Sequence, residues 1–305
     1  MDRKYAHLIK KLEPKDGPLG LYPNKIIWME SEDLEGFNAH FGYTLINEPL
    51  IFHPTNGAVV HPYDECIVIA GTYVDNILKL GAEVTLRIGD EGEEYVIKEP
   101  SVVLIPKGTP HGPFEVKMLE NPIAHYCIGL NPKYSAMQLE YKKEQKTRYE
   151  RGKYVRCIKP FWIGLPSPFG YADGIPLNQL RGPGNADQLV WFYGKDLEGF
   201  EVNFTWGFYS KCGIWHRAGE MHVHPEEEIL VFVGLYPDNL NYLGAELEIG
   251  MGKEGERYVF NTPSVVICPK GFPHLPLITR WVDQNYAFFV VCLSAEHATS
   301  WIELD

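Results

Sequence analysis

The sequence predicts an all-β protein made of two tandem copies of one domain, and three observations carry that reading. The second half repeats the first at a constant offset, each half breaks into short apolar runs, and turn residues punctuate those runs. Placing VVHPYDECIVIAGTYVDN, from Val59, under HVHPEEEILVFVGLYPDN, from His222, sets an offset that holds without a gap from Trp28 against Trp191 to Pro113 against Pro276. Roughly two in five positions in that span are identical, far more than shared composition produces. The lead-in segment KYAHLIK at Lys4 has its own echo in KYVRCIK at Lys153.

Taken in order, each copy reads as strands. Asn38 to Phe52 and Glu201 to Trp215 are rich in aromatic and β-branched residues, which suit a pleated surface. CIVIAG and ILVFVG are short, wholly apolar runs of the kind expected for a strand buried on both faces. A Tyr-x-Asp-Asn turn follows at Tyr73 or Tyr236, then a strand beginning Gly-Ala-Glu, then a Gly/Glu hairpin turn at Glu91 or Glu254. Tyr95-Val96, Ser101 to Ile105, a Pro-Lys-Gly turn, and His125 to Leu130 or Phe288 to Leu293 close each copy. With 29 Gly and 23 Pro, the pattern argues for a sandwich, barrel or jelly roll. Between the copies, Ser135 to Arg148 is charged and free of Pro, and predicts a helical linker. The expected division is 1–132 for the first domain, 133–152 for the linker and 153–305 for the second domain. The stretch from Phe161 to Ala186, rich in Gly and Pro, reads as padding or as a loop over a barrel mouth.

Composition excludes several classes of function. A net charge of −12 disfavours nucleic acid, whose phosphates need stripes of Lys and Arg, and disfavours an anionic membrane surface. A spanning helix needs about 20 apolar residues, and no such run occurs; the N-terminus also lacks the apolar core of a secretory signal. The six cysteines are scattered without a CxxC pair, so a reduced, cytoplasmic compartment is expected.

The chemistry concentrates in the second copy. His222 and His224 are one residue apart, so on a strand they share a face; Glu228 follows, and the Pro269-Lys-Gly271 turn delivers His274. Three imidazoles and a carboxylate suit a borderline divalent metal: Fe, Mn, Ni, Zn or Cu. In the first copy the same positions are Val59, His61, Glu65 and His111. One donor is lost, which leaves a weaker or empty site; His53 or His125 are candidates for a substitute nitrogen, although His125 on its apolar strand reads first as a core residue. His53 and His216 correspond to each other. For His216 two readings stay open, a pocket residue that relays protons or holds a substrate oxygen, and a structural histidine. It is carried forward as the candidate catalytic residue.

These motifs resemble those of the cupin superfamily, and the pair of copies resembles a bicupin, two tandem jelly-roll barrels. The second copy has the His-x-His, Glu and closing Gly of the first cupin motif and the Pro-x-Gly-x-x-His of the second. It departs from them at His216, at Pro263, in the spacing to Gly234 and in a missing terminal Asn. The resemblance implies one metal ion per chain in the second barrel, held by His222, His224, Glu228 and His274. A second ion in the first barrel, at His61, Glu65 and His111, stays open. It also implies a homo-oligomer, dimer or higher, with the KYxxxIK segments as candidates for exchange between protomers. The expected function is a metal-dependent enzyme on a small oxygenated organic molecule, with a dioxygenase-like oxidoreductase ahead. A non-oxidative decarboxylase, isomerase or hydrolase is the alternative, and a non-catalytic ligand-binding bicupin the second alternative.

Overall fold

The computed structural model describes residues 3–18, 20–141, 152–163, 171–172, 175–176, 182–215 and 221–302. Among these the helical segments are three-residue 3-10 turns, Ala6–Leu8, Val155–Cys157 and Gly194–Asp196, and the rest of the regular structure is strand.

Two compact units form, Glu13–Phe161 and Met1–Leu12 with Trp162–Asp305. The first is a sandwich of two antiparallel sheets. One has the order Ile158–Pro160, Ser101–Ile105, Glu65–Gly71, Ile123–Gly129, His40–Ile46, Ile26–Met29, Pro14–Lys15; the other runs Met137–Leu139, Ala58–Val60, His111–Leu119, Ala82–Ile88, Glu93–Ile97, with Ile51–Phe52 also on His111–Leu119. The second unit repeats this plan. Its first sheet orders Ile9–Lys11, Ser264–Cys268, Glu228–Gly234, Tyr286–Cys292, Asn203–Tyr209 and Gln188–Phe192; its second has Glu256–Phe260, Ala245–Met251, His274–Val282, Met221–Val223 and Ser300–Ile302. This is the jelly-roll plan expected from the motifs.

Every residue of Glu65–Gly71 and Glu228–Gly234 is buried, as the apolar runs that follow each glutamate require. In the first unit, Ile67, Ile69, Val84, Leu86, Val103 and Phe114 meet between the sheets with essentially no exposure. Each such side chain removed from water contributes about 1.5–3 kcal/mol. The core therefore holds rigid the two strands that carry the first motif's glutamate and the last histidine.

The domain boundaries differ from the expected ones because the lead-in strands are exchanged between the copies. Ile9–Lys11 pairs with Ser264–Cys268 of the second copy, and Ile158–Pro160 pairs with Ser101–Ile105 of the first. The anchoring is duplicated. The Tyr5 amide donates to Tyr258 Oη at 2.7 Å, and the Tyr154 amide donates to Tyr95 Oη at 2.9 Å. Gly252 and Gly89, at φ 71° and 86°, lie so close to the Tyr5 and Tyr154 rings that a Cβ would fall 2.3 and 2.2 Å from them. Exchange of these strands, expected between protomers, thus occurs within one chain.

The helical linker is also corrected in part. Met137–Leu139 is a strand on Ala58–Val60, because an open sheet edge supplies backbone partners that outweigh the helix propensity of Met, Gln and Leu. The expected helix beyond 141 lies outside the described residues. No disulfide joins the six cysteines, and no described helix is long and apolar enough to cross a membrane.

Candidate metal centres

In the second unit the predicted residues converge. His222 is on Met221–Val223, with His224 just beyond; Glu228 opens Glu228–Gly234, and His274 opens His274–Val282, directly opposite His222 in register. Donor atoms of His222, His224 and His274 lie within 4.8 Å of one another, as do those of His224, Glu228 and His297, and of Glu228, Cys268 and His274. The rings of His222 stand 4.6 Å from His224 and 4.4 Å from His274. Glu228 Oε2 is 3.3 Å from His224 Nε2 and 3.4 Å from His274 Nε2.

Backbone carbonyls set the rings. His224 Nδ1 donates to the Ala298 carbonyl at 2.8 Å, and His274 Nδ1 donates to the Phe272 carbonyl at 3.1 Å. A carbonyl only accepts, so in each neutral ring the proton sits on Nδ1 and Nε2 presents a lone pair to the centre. Burial alone pushes the Glu228 carboxyl up; positive charge beside it, as on His224 and His274 when protonated, lowers it to about 2. Burial raises the Cys268 thiol and keeps it protonated.

The first unit repeats this construction with one change. His61 Nδ1 donates to the Ser135 carbonyl at 2.8 Å, and His111 Nδ1 to the Thr109 carbonyl at 3.1 Å, the same pair of anchors at the repeat offset. Val59 lies opposite His111 as His222 lies opposite His274. The missing nitrogen comes from elsewhere: donor atoms of His53, His61, Glu65 and His111 all lie within 4.8 Å of one another. His53 occupies a left-handed backbone conformation, φ 49°, which costs a non-glycine residue about 1–2 kcal/mol. Its amide donates to the Leu21 carbonyl at 2.6 Å. Close approach of this loop requires Gly112, at φ 87°, where a Cβ would sit 2.4 Å from the His53 carbonyl oxygen. The second copy has Leu275 there.

His125 is not part of this group of four. It accepts or donates at Tyr22 Oη, 2.9 Å away, and reaches the Val68 carbonyl at 3.3 Å, the satisfied core histidine that its strand suggests. Burial lowers its pKa to about 3 and, against the pull of Glu65, lowers that of His61 to about 4. Of the two candidates for a substitute nitrogen, His53 stands with the other three donors and His125 does not. His216 and its neighbour Arg217 lie outside the described residues.

The two donor sets fit a metal ion. His61 Nε2, His111 Nε2, Glu65 Oε1 and Glu228 Oε2 are buried with no hydrogen-bond partner among the described residues, an arrangement that is costly unless a cation collects the lone pairs. The surroundings differ. In the second unit a cavity of about 70 Å³ touches His222, His224, Glu228 and His274, and Trp191, Trp215, Leu277 and Phe288 are among its walls. His297 also faces it, with its ring 4.4 Å from that of His224. In the first unit the Tyr63 ring stacks on His61 at 4.9 Å, and Tyr134 meets it edge-on at 5.2 Å. Sequence reasoning missed Tyr134 and His297. The signal was available, since the two occupy equivalent positions, 134 and 297, between the last two strands of each copy.

A scan against protein-family models found no match, and a comparison with curated protein sequences found none either. Solved structures do match. An oxalate decarboxylase of Bacillus subtilis at pH 4.6 superposes with a TM-score of 0.55 at 12% identity over 96% of this chain and 77% of that one. The Lactobacillus farciminis oxalate decarboxylase formate complex gives a TM-score of 0.55 at 12% identity over 96% of this chain and 87% of that one. A point mutant of the Bacillus subtilis enzyme matches at 13% identity with a TM-score of 0.55, over 96% of this chain and 78% of that one. The chain has the bicupin fold.

Proposed function

We propose that this protein is a metal-dependent bicupin enzyme that removes CO2 from a small carboxylate without net oxidation, at the centre of the second barrel. The observation that carries the reading is the cavity that meets all four donors of that centre. At about 70 Å³ it falls well below the roughly 300–1,000 Å³ of pockets for drug-sized ligands, so a substrate of a few heavy atoms suits it and a flavonol does not. The structural likeness to oxalate decarboxylases supports the non-oxidative alternative over the dioxygenase-like reading.

A divalent ion held by His222, His224, Glu228 and His274 would supply Lewis-acid polarisation of a substrate oxygen. The chain supplies the rest. Leu189, Trp191, Trp215, Leu277 and Phe288 wall the cavity with apolar surface, which excludes water and strengthens polar contacts inside. His297 faces the cavity, where it is placed to hydrogen-bond a substrate oxygen. Loss of CO2 leaves a carbon that takes up one proton, so the reaction consumes one proton per turnover and no oxidant. A reducing, cytoplasmic location and a homo-oligomeric state belong to the same proposal, supported by the scattered cysteines and by the resemblance.

The test is to load the protein with Mn(II), Fe(II) or Zn(II) and follow CO2 release and dioxygen uptake together over oxalate and other two- to four-carbon acids. CO2 without oxygen consumption is expected. Stoichiometric oxygen uptake would move the assignment to a dioxygenase, and ligand binding without turnover would make it a binding protein.

A further inference from the structure

The first barrel has a feature that neither its motif nor the proposed reaction accounts for, the convergence of His53 on Glu65. Three imidazole nitrogens approach one carboxylate oxygen: Glu65 Oε2 is 3.4 Å from His53 Nε2, 3.4 Å from His61 Nε2 and 3.3 Å from His111 Nε2. All four residues are at most 1% exposed. What fills the space between them follows from where the protons are.

Carbonyl acceptors put the proton of His61 and of His111 on Nδ1, as above. For His53 the assignment runs through three residues. The Val68 carbonyl faces His125 Nδ1, so that nitrogen carries its proton and His125 Nε2 is an acceptor. Tyr22 Oη lies 2.9 Å from His125 Nε2 and 3.0 Å from His53 Nδ1. It donates to His125, and so accepts from His53 Nδ1. His53 Nε2 is therefore also a bare lone pair. The reverse direction, with His53 Nε2 donating to Glu65, would turn the His125 Nδ1 lone pair onto the Val68 carbonyl oxygen. Three lone pairs and a carboxylate thus face one another in a buried site.

Distance separates the two ways of relieving that repulsion. A protonated imidazole on a carboxylate closes to about 2.7–2.9 Å, and none of the three contacts does. Four donors bonded at about 2.0–2.2 Å to a tetrahedral ion stand about 3.3–3.6 Å apart, a spacing that the three carboxylate–imidazole contacts, 3.3–3.4 Å, match. We propose that the first barrel binds a divalent cation of the zinc type in a closed, four-donor centre, His53, His61, Glu65 and His111, in which His53 replaces the histidine absent at position 59. The four donors of the second barrel border a cavity, whereas here the Tyr63 and Tyr134 rings pack over His61, which makes this the closed centre of the two. Tyr22 orients His53 and is a positioning residue. The inference stands on the first barrel alone and does not depend on the reaction assigned to the second.

The test is metal counting on the full-length protein after loading with Zn(II) and gel filtration. Wild type is expected to hold two ions per chain, His53→Ala one, and His222→Ala/His224→Ala one. Placing the donor back on the other strand, His53→Ala with Val59→His, is expected to restore the second ion, which a merely structural role for His53 would not allow. Tyr22→Phe is expected to lower the affinity of the first centre by about 10–100-fold, read by competition with a chromophoric chelator. If the His53 variants fail to fold, the His222→Ala/His224→Ala protein decides alone: one bound ion supports the centre, and none overturns it. A folded His53→Ala that holds as many ions as wild type also overturns it.

Discussion

The two barrels keep three donors and their anchoring carbonyls in place and differ in where the fourth nitrogen comes from. In the second barrel His222 reaches the centre from the strand opposite His274, and an apolar cavity lies against the donors. In the first, His53 comes from a loop that Gly112 allows to approach, and aromatic rings close over His61. Duplication therefore kept a histidine at both equivalent positions 53 and 216 and changed a strand position, Val59 against His222, so that one donor plan yields a capped cluster in one barrel and a cluster beside a cavity in the other.

The comparison can be broken in order of expected effect. His224→Ala removes a donor of the open centre and should reduce decarboxylation by at least about a hundredfold, given that even residues supporting a ligand are worth about 10–100-fold. Steady-state rates paired with metal content check this. Gly112→Leu gives the first copy the residue of the second. Its Cβ would meet the His53 carbonyl, so the closed centre should lose its ion and the fold about 1–3 kcal/mol from overpacking. Denaturant midpoints with and without Zn(II) measure that loss, with turnover at the second centre retained.

His297→Tyr makes the converse exchange and installs the residue that the first copy carries at Tyr134. A decrease of about 10-fold in kcat/KM is expected, the size of a lost hydrogen bond to substrate of about 1.4 kcal/mol. Unchanged kinetics would remove His297 from the site.

The smallest effect concerns the lead-in strands. Hydrogen bonds from Lys4, from the Glu254 backbone and from Tyr5 hold the Glu254 carboxyl at about 2, below its ordinary value of 4.5. A depressed carboxyl contributes stability above its unfolded value and loses it as pH falls, here between about 4.5 and 2. The group is exposed, so Glu254→Gln should shift the acid unfolding midpoint only slightly.

Much of this was legible in the sequence. The repeat, the alternation of apolar runs and turns, and the four donors of the second barrel come from patterns local to a strand or from the constant offset. The exchanged lead-in strands were not legible, because which edge Ile9–Lys11 joins is a matter of long-range pairing. The strand at Met137–Leu139 was hidden for the same reason. His53 could be suspected as a substitute donor but not placed, since its position depends on a left-handed backbone and on the space that Gly112 leaves. A histidine outside a motif can stand beside its donors, and only packing shows which one does.

Crystals of the Zn(II)-loaded protein, soaked with oxalate and measured at the metal absorption edge, test the distinction between a closed and an open centre most directly. Two anomalous peaks per chain are predicted, one among His53, His61, Glu65 and His111 and one among His222, His224, Glu228 and His274, with the carboxylate bound only at the second. A single peak, or a carboxylate bound in the first barrel, would contradict it.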